Sequence, residues 1–330
     1  MTTSSIVIDD LGDDEDPSQL VQGIRDGLLR TPREIAPRFF YDDRGAELFE
    51  QITALPEYYQ TRTERALLAE IAADVCAQSG GSVLVELGSG SSAKTRLLLE
   101  AMRRHQGCDL YVPFDVNGQV VRQAAESLVA SYPGLRVHGV IGDFLRLDHR
   151  LPVGGRRLVI FLGGTIGNLE PRAARDFVAS LARSLHPGEA FLLGVDLIKD
   201  TRRLEAAYND ASGITAAFNR NILQVVNRVA QGDFRPECYR HLAFYDPAHH
   251  WIEMRLVATS AQKVRLGAAR LDLALAREEF IRTEISVKYD PDMARELLLE
   301  TGFELMQWYT DPEHLFGLAL ARRPGLSSTP

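Results

Sequence analysis

The residues of this chain best suited to chemistry are a glycine-rich loop, the carboxylates near it, and a set of tyrosines. The loop is Val85-Glu86-Leu87-Gly88-Ser89-Gly90-Ser91-Ser92-Ala93-Lys94-Thr95. It carries every element of a phosphate-binding Gly-x-x-x-x-Gly-Lys-Ser/Thr loop except the second glycine, where Ala93 stands. A Cβ there obstructs the backbone amides that would wrap a phosphate. A dinucleotide fingerprint beginning at Gly88 meets Ala93 at its third glycine, a position some variants fill with alanine. The acidic neighbours decide better than the loop does. Asp115 ends the next apolar run, where it can accept both ribose hydroxyls of a nucleoside, and Glu86 stands just before the loop. Beside a triphosphate these carboxylates are repelled unless magnesium intervenes, whereas S-adenosylmethionine brings a sulfonium, an ammonium and no phosphate. S-adenosylmethionine is the ligand the loop suits.

Such a loop needs a strand before it and a helix after it. Val83-Leu84-Val85 follows Gly80-Gly81, and Leu97, Leu98, Leu99 and Met102 resume helical spacing beyond the loop. Upstream, Thr61-Arg62-Thr63-Glu64 fits a capping box that opens a helix running to about Gln78. The alternation continues. Apolar run 110–114 leads to Asp115, 135–141 to Asp143-Phe144, 158–162 to Gly163-Gly164-Thr165, and the His186-Pro187-Gly188 turn precedes 191–195. Strands alternating with helices predict an α/β fold with a parallel, doubly wound sheet that binds ligands beyond the carboxyl ends of its strands. The rhythm breaks at 199–230, which reads as helical, and at 251–266 and 280–289, which alternate with period two. A helix near 293–300 and a hairpin of 303–308 with 316–321 close the chain. Three regions result: a disordered acidic tail over 1–17; a second, α+β, substrate-binding domain over 18–60 plus 199–287; and the S-adenosylmethionine-binding domain over 61–198 plus 288–330.

Charge and cysteine usage narrow the partners. With 37 Lys+Arg against 45 Asp+Glu the net charge is −8 and no basic run occurs, so nucleic acid is not expected as a partner. Cys76, Cys108 and Cys238 are odd in number, widely spaced and in no metal-ligand pattern, which suits a reducing compartment and gives no metal site. No basic start with an apolar segment opens the chain, and its apolar runs are too short to cross a bilayer. A cytoplasmic monomer acting on a small molecule, with no membrane partner, is the expectation.

Taken in order, the loop, Asp115, Asp143-Phe144 and the His186-Pro187-Gly188 turn are similar to the class I methyltransferase pattern, with its Rossmann-like sheet. At the end of the fourth strand, where that fold presents its acceptor, stands Gly163-Gly164-Thr165-Ile166-Gly167-Asn168-Leu169 in place of the Asn-Pro-Pro-Tyr of amino-base DNA methyltransferases. Further stretches carry a closer likeness. These are Pro37-Arg38-Phe39-Phe40-Tyr41-Asp42, the run 55–64 from Leu55-Pro56-Glu57-Tyr58-Tyr59 to Glu64, Lys94-Thr95-Arg96, and Thr215-Ala216-Ala217-Phe218-Asn219-Arg220-Asn221. From about Leu20 to Arg323 the chain resembles the L-histidine Nα-methyltransferases of ergothioneine biosynthesis. The resemblance implies two domains facing across a cleft and three successive methyl transfers that turn histidine, through its mono- and dimethyl forms, into the betaine hercynine. It implies that Gly88, Lys94, Asp115, Asp143 and Phe144 contact S-adenosylmethionine. It places Tyr58, Asn168 and Tyr208 on the amino acid's carboxylate and amine, the catalytic Tyr41 beside the amine, and Met254, Glu284 and Ser286 around the imidazole. The chain departs from relatives in its long acidic N-terminus and in Gly164, where a serine is frequent.

Read from residues alone, the strand 280–288 leaves its role open. Period two puts Glu284 and Ser286 on one face with Arg282 and Lys288, which fits a solvated face. In the functional reading Glu284 accepts the imidazole N–H and the Ser286 hydroxyl serves the other nitrogen. A tyrosine set can hydrogen-bond an amine and then offer ring faces to a quaternary ammonium. Competing readings are an Nα-methyltransferase for another amino acid, a nucleotide-dependent ATPase or kinase using Lys94 and Thr95, and a binding module without turnover.

Overall fold

The computed structural model describes residues 5–11, 17–90, 92, 94–146 and 154–325; Ser91, Ala93 and the acidic run 12–16 therefore lie outside the described residues. The chain divides into two compact units, one formed from Met1–Gly12, Gln60–Ile198 and Lys288–Pro330, the other from Asp13–Tyr59 and Lys199–Val287.

In the first unit five of the strands run parallel. Their order across the sheet is Arg136–Ile141, Leu110–Asp115, Val83–Leu87, Arg157–Phe161, Ala190–Asp196. Val83–Leu87, Arg157–Phe161 and Ala190–Asp196 are buried at every residue, as strands covered on both faces must be. On one face the helices Tyr59–Ser79 and Thr95–Gln106 contribute Leu67, Leu68, Val75, Leu98, Leu99 and Met102 to a core with Leu84, Leu158 and Ile160. The closing hairpin is antiparallel: Phe316–Arg322 inserts between Ala190–Asp196 and Glu304–Thr310. Strand order reverses at Val83–Leu87, so the chain leaves its carboxyl end in one direction and that of Arg157–Phe161 in the other. A crevice for ligands opens at such a switch point.

One element contradicts the expected tail. Ile6–Asp10 forms an eighth strand, paired in parallel with Arg136–Ile141 from Ile6↔Val137 to Asp10↔Ile141. Ile6 and Ile8 pack against the core, an alternation that the surrounding aspartates obscure in the sequence. The helix expected from Thr61 begins at Tyr59 instead, and Glu64 makes long-range bonds rather than capping it.

The second unit holds a four-stranded sheet in the order Arg33–Glu34, Phe280–Val287, Trp251–Ala258, Tyr239–Asp246, and a separate hairpin of Gln262–Leu266 with Leu271–Leu275. The stretch 199–230 is two helices, Thr201–Ala206 and Ile214–Ala230. Between them Asp210 accepts the amides of Ile214 and Thr215 at 2.9 and 2.8 Å, and Gly213 takes φ +72°.

A bulge in Phe280–Val287 governs what the sheet presents. Arg282 pairs with Arg255 but Glu284 pairs with Met254, so Thr283 is the extra residue. Paired residues share a face, and Arg255 and Met254 face opposite ways. The bulge therefore separates Glu284 from Arg282, against the period-two expectation. Arg282 reaches Glu34 at 2.7 Å, while Met254, Glu284 and Ser286 share the other face and are buried. A solvated face for Glu284 and Ser286 is thereby overturned. Lys288, expected beside them, belongs to the first unit, where it is fully buried against Asp196 at 2.9 Å.

Candidate active site

The glycine loop leaves Val83–Leu87 through two left-handed turns, Gly88 at φ +69° and Gly90 at φ +48°. Any side chain at either position is strained. The Gly90 amide donates to Asp115 Oδ2 at 2.9 Å, and the Asn117 amide donates to Oδ1 at 3.0 Å. Burial pushes the Asp115 carboxyl up, opposed by these backbone N–H donors. Asp115 thus sits beside the loop at the end of its strand, where a diol could still meet its remaining lone pairs. The Ser89 hydroxyl is buried in the same loop without a hydrogen-bond partner among the described residues, a group that a bound nucleoside could satisfy. Asp143 accepts the Leu145 amide at 2.9 Å, which turns the chain after Arg136–Ile141. Beside it the Phe144 ring packs on Phe161 and Phe177, and its edge lies 3.7 Å from where a Cβ of Gly88 would sit. Asn168 ends a 3₁₀ turn, Thr165–Asn168, that follows Gly163 and Gly164, both left-handed.

Two loop residues have partners that the sequence does not reveal. Lys94 pairs with Glu64, a fully buried carboxylate whose other oxygen accepts the Gly163 amide at 2.7 Å. Thr95 donates to Glu86, as does the Tyr111 hydroxyl, and Ser92 bonds Tyr111 at 2.8 Å. The hydroxyl that a magnesium site would use is committed to Glu86, which tells against the kinase reading, whereas the partly exposed Lys94 ammonium has more donors than its bond to Glu64 uses. Glu86 accordingly ties the loop to the helix behind it.

That burial has a measurable consequence. Desolvation pushes the Glu86 carboxyl from 4.5 up to about 7, in spite of its bonds from Thr95 and Tyr111 and the nearby Lys94 charge. The folded state then holds this proton more tightly than the unfolded chain does, so stability falls as pH rises from about 4.5 to about 7. At 1.36 kcal/mol per unit the fall is about 3 kcal/mol. Glu86→Gln should remove it, gaining on wild type in urea melts between about pH 5 and about pH 8. Parallel pH profiles for the two proteins would refute this assignment.

In the second unit the remaining site residues form two groups. Tyr41 packs edge-on against Phe49 and Phe218 at 5.9 and 6.0 Å, and Tyr58 also meets Phe49 edge-on, at 6.2 Å. Asp42 fixes this group in place. It caps the helix Asp43–Thr53 through the Gly45 amide, accepts Asn221 Nδ2 at 2.7 Å and pairs with Arg228. The second group joins Tyr208, whose hydroxyl donates to Ser286 Oγ at 2.8 Å, to the Met254, Glu284 and Ser286 face. Phe49 gives no signal in the sequence, since a lone phenylalanine in an amphipathic helix reads as core.

A parallel sheet that reverses beside a glycine loop, with carboxylates at the two neighbouring strand ends, is the arrangement of a class I S-adenosylmethionine-dependent methyltransferase. The family model described as "Histidine-specific methyltransferase, SAM-dependent" matches residues 20–323, and the chain belongs to that family. It is 46% identical to the histidine N-alpha-methyltransferase of Mycolicibacterium smegmatis, over 95% of this chain and 98% of that one. It is 28% identical to ergothioneine biosynthesis protein 1 of Neurospora crassa, over 91% of this chain and 34% of that longer one. A 4-dimethylallyltryptophan N-methyltransferase of Claviceps purpurea is 25% identical over 88% of this chain and 90% of its own. Among the described residues no helix is long and apolar enough to cross a membrane, and no cluster of side chains could hold a metal ion.

Proposed function

We propose that the protein transfers three methyl groups in succession from S-adenosylmethionine to the α-amine of L-histidine, giving hercynine, the first step of ergothioneine biosynthesis. The observation that carries this reading is the buried Met254, Glu284 and Ser286 face in a chain of a histidine-specific family. A carboxylate that accepts and a hydroxyl that donates match the two nitrogens of a neutral imidazole. An indole offers a donor and no acceptor, and so answers Glu284 alone; an aliphatic side chain answers neither group.

Gly88, Lys94, Asp115, Asp143 and Phe144 are assigned to S-adenosylmethionine, with the open glycine turns and the orphaned Ser89 hydroxyl as support. When bound, that cofactor supplies a methyl group on a sulfonium sulfur, open to in-line attack by a neutral amine. The chain's own task is to hold histidine with its amine lone pair free and aimed. Asn168, Tyr58 and Tyr208 are assigned to the carboxylate and amine. Tyr41 is the catalytic group, its hydroxyl accepting an amine N–H and helping the proton leave. The rings of Tyr41 and Phe49 give a quaternary product a π-face once no N–H remains. Tyr41→Phe should lower kcat by at least about tenfold with the fold intact. Unchanged rates for all three transfers would remove Tyr41 from this role.

The direct test offers the protein S-adenosylmethionine with each common amino acid in turn and follows products by mass. Histidine alone gaining one, two and then three methyl groups is the expected result. Methylation of a different amino acid instead keeps the fold and reassigns the Glu284 and Ser286 face.

A further inference from the structure

Behind Tyr208 and Ser286 lies a ring of buried and half-buried side chains that no step above uses. It starts at the bulge. Thr283 Oγ1 donates to Asn219 Oδ1 at 2.7 Å, and Asn219 is fully buried. Asn219 Nδ2 serves the Arg255 carbonyl at 3.1 Å, which fixes the amide's orientation because a carbonyl can only accept. The same Nδ2 lies 2.8 Å from His241 Nδ1, so Nδ1 must carry the lone pair and Nε2 the hydrogen. His241 Nε2 then donates to the Tyr208 carbonyl at 2.8 Å, and the Tyr208 hydroxyl donates to Ser286. The path leaves the strand Phe280–Val287 at Thr283 and returns to it at Ser286.

We propose that His241, held by Asn219 as the neutral Nε2–H tautomer, is a positioning residue for histidine recognition, acting through Tyr208 on Ser286. Burial lowers the readiness of this imidazole to take a second proton, the Arg220 charge adds to it, and the bond to the Tyr208 carbonyl and the Asp210 charge oppose it. A second proton would face Asn219 Nδ2 donor to donor and open the ring at its middle. Because the Tyr208 hydroxyl donates to Ser286 Oγ, the ring holds that oxygen in place on the face it shares with Met254 and Glu284. Asn209 supports the same turn by donating to the Ala243 carbonyl at 3.0 Å, so the fold does not rest on His241 alone.

This rests on Tyr208 being a histidine contact, and the variants separate the two ideas. His241→Phe removes both the donor and the acceptor; His241→Gln restores both at the imidazole's spacing and cannot be protonated. With the full-length enzyme, H241F should raise the histidine KM about tenfold, with kcat and the S-adenosylmethionine KM within about twofold, and H241Q should bring the histidine KM back to within about threefold of wild type. If Tyr208→Phe raises the histidine KM and H241F does not, the positioning role is overturned and the site stands. If Y208F leaves it unchanged, the assignment of Tyr208 fails and this inference with it. Equal losses for both ligands in H241F, or no recovery in H241Q, would also overturn it. Should H241F fail to fold, ¹⁵N-histidine spectra of the wild type at neutral pH decide: an Nε2-protonated neutral His241 is expected, and an Nδ1-protonated or doubly protonated ring overturns the proposal.

Discussion

Glu284→Ala should raise the histidine KM by about a hundredfold at saturating S-adenosylmethionine, with the cofactor KM within about twofold. Glu284 is buried, and the bulge at Thr283 turns it to the same face as Met254 and Ser286. A hydrogen bond to a charged acceptor contributes about 1.5–3 kcal/mol, and its loss also leaves the imidazole N–H desolvated without a partner. That sum is about two orders of magnitude in binding. Glu284→Gln keeps an acceptor oxygen and loses the charge, so its KM should lie between wild type and E284A. The readout is steady-state kinetics over a wide histidine range. A histidine KM for E284A within threefold of wild type would take the imidazole away from this face.

The largest effect on stability is expected from Lys94→Met. It leaves the Glu64 carboxylate, fully buried on the helix Tyr59–Ser79, facing no cation. Breaking a buried pair from one side costs about 3–5 kcal/mol, and the Gly163 amide on the other oxygen together with the partial exposure of Lys94 puts this case near about 3. Adding Glu64→Gln removes the stranded charge while keeping the acceptor for Gly163. The double variant should therefore recover most of the lost urea midpoint without recovering S-adenosylmethionine affinity, which K94M also loses under the proposed assignment. A double variant no more stable than K94M would show that the pair is not what holds the loop and the fourth strand together.

What the sequence made legible follows the range of the physics involved. The βα rhythm, the loop and the residues at strand ends depend on local periodicity and turn chemistry, and each was readable from a window of about ten residues. Long-range partners were not. Glu64 fits a capping box by spacing, yet its carboxylate serves Lys94 and Gly163, 30 and 99 residues away. Glu86 stands where a cofactor carboxylate would, but Thr95 and Tyr111 claim it. The strand Ile6–Asp10 was hidden because its pairing partner lies more than a hundred residues on and its composition is acidic. The Tyr41 and Tyr58 cluster was legible only as a set of tyrosines; Phe49, which both rings touch, was not.

The extra residue at Thr283 has a meaning for how such an enzyme can change. A strand's alternation makes the choice of face a matter of counting, and this strand counts differently on either side of one position. Deleting Thr283 would restore the plain alternation and leave Glu284 opposite Met254 and Ser286 opposite Ile252, so the pocket face would survive. What the strand would lose is the hydroxyl that serves Asn219. The extra residue is therefore a place where this strand can gain or shed a side chain for the scaffold behind the pocket without disturbing the side chains that face it.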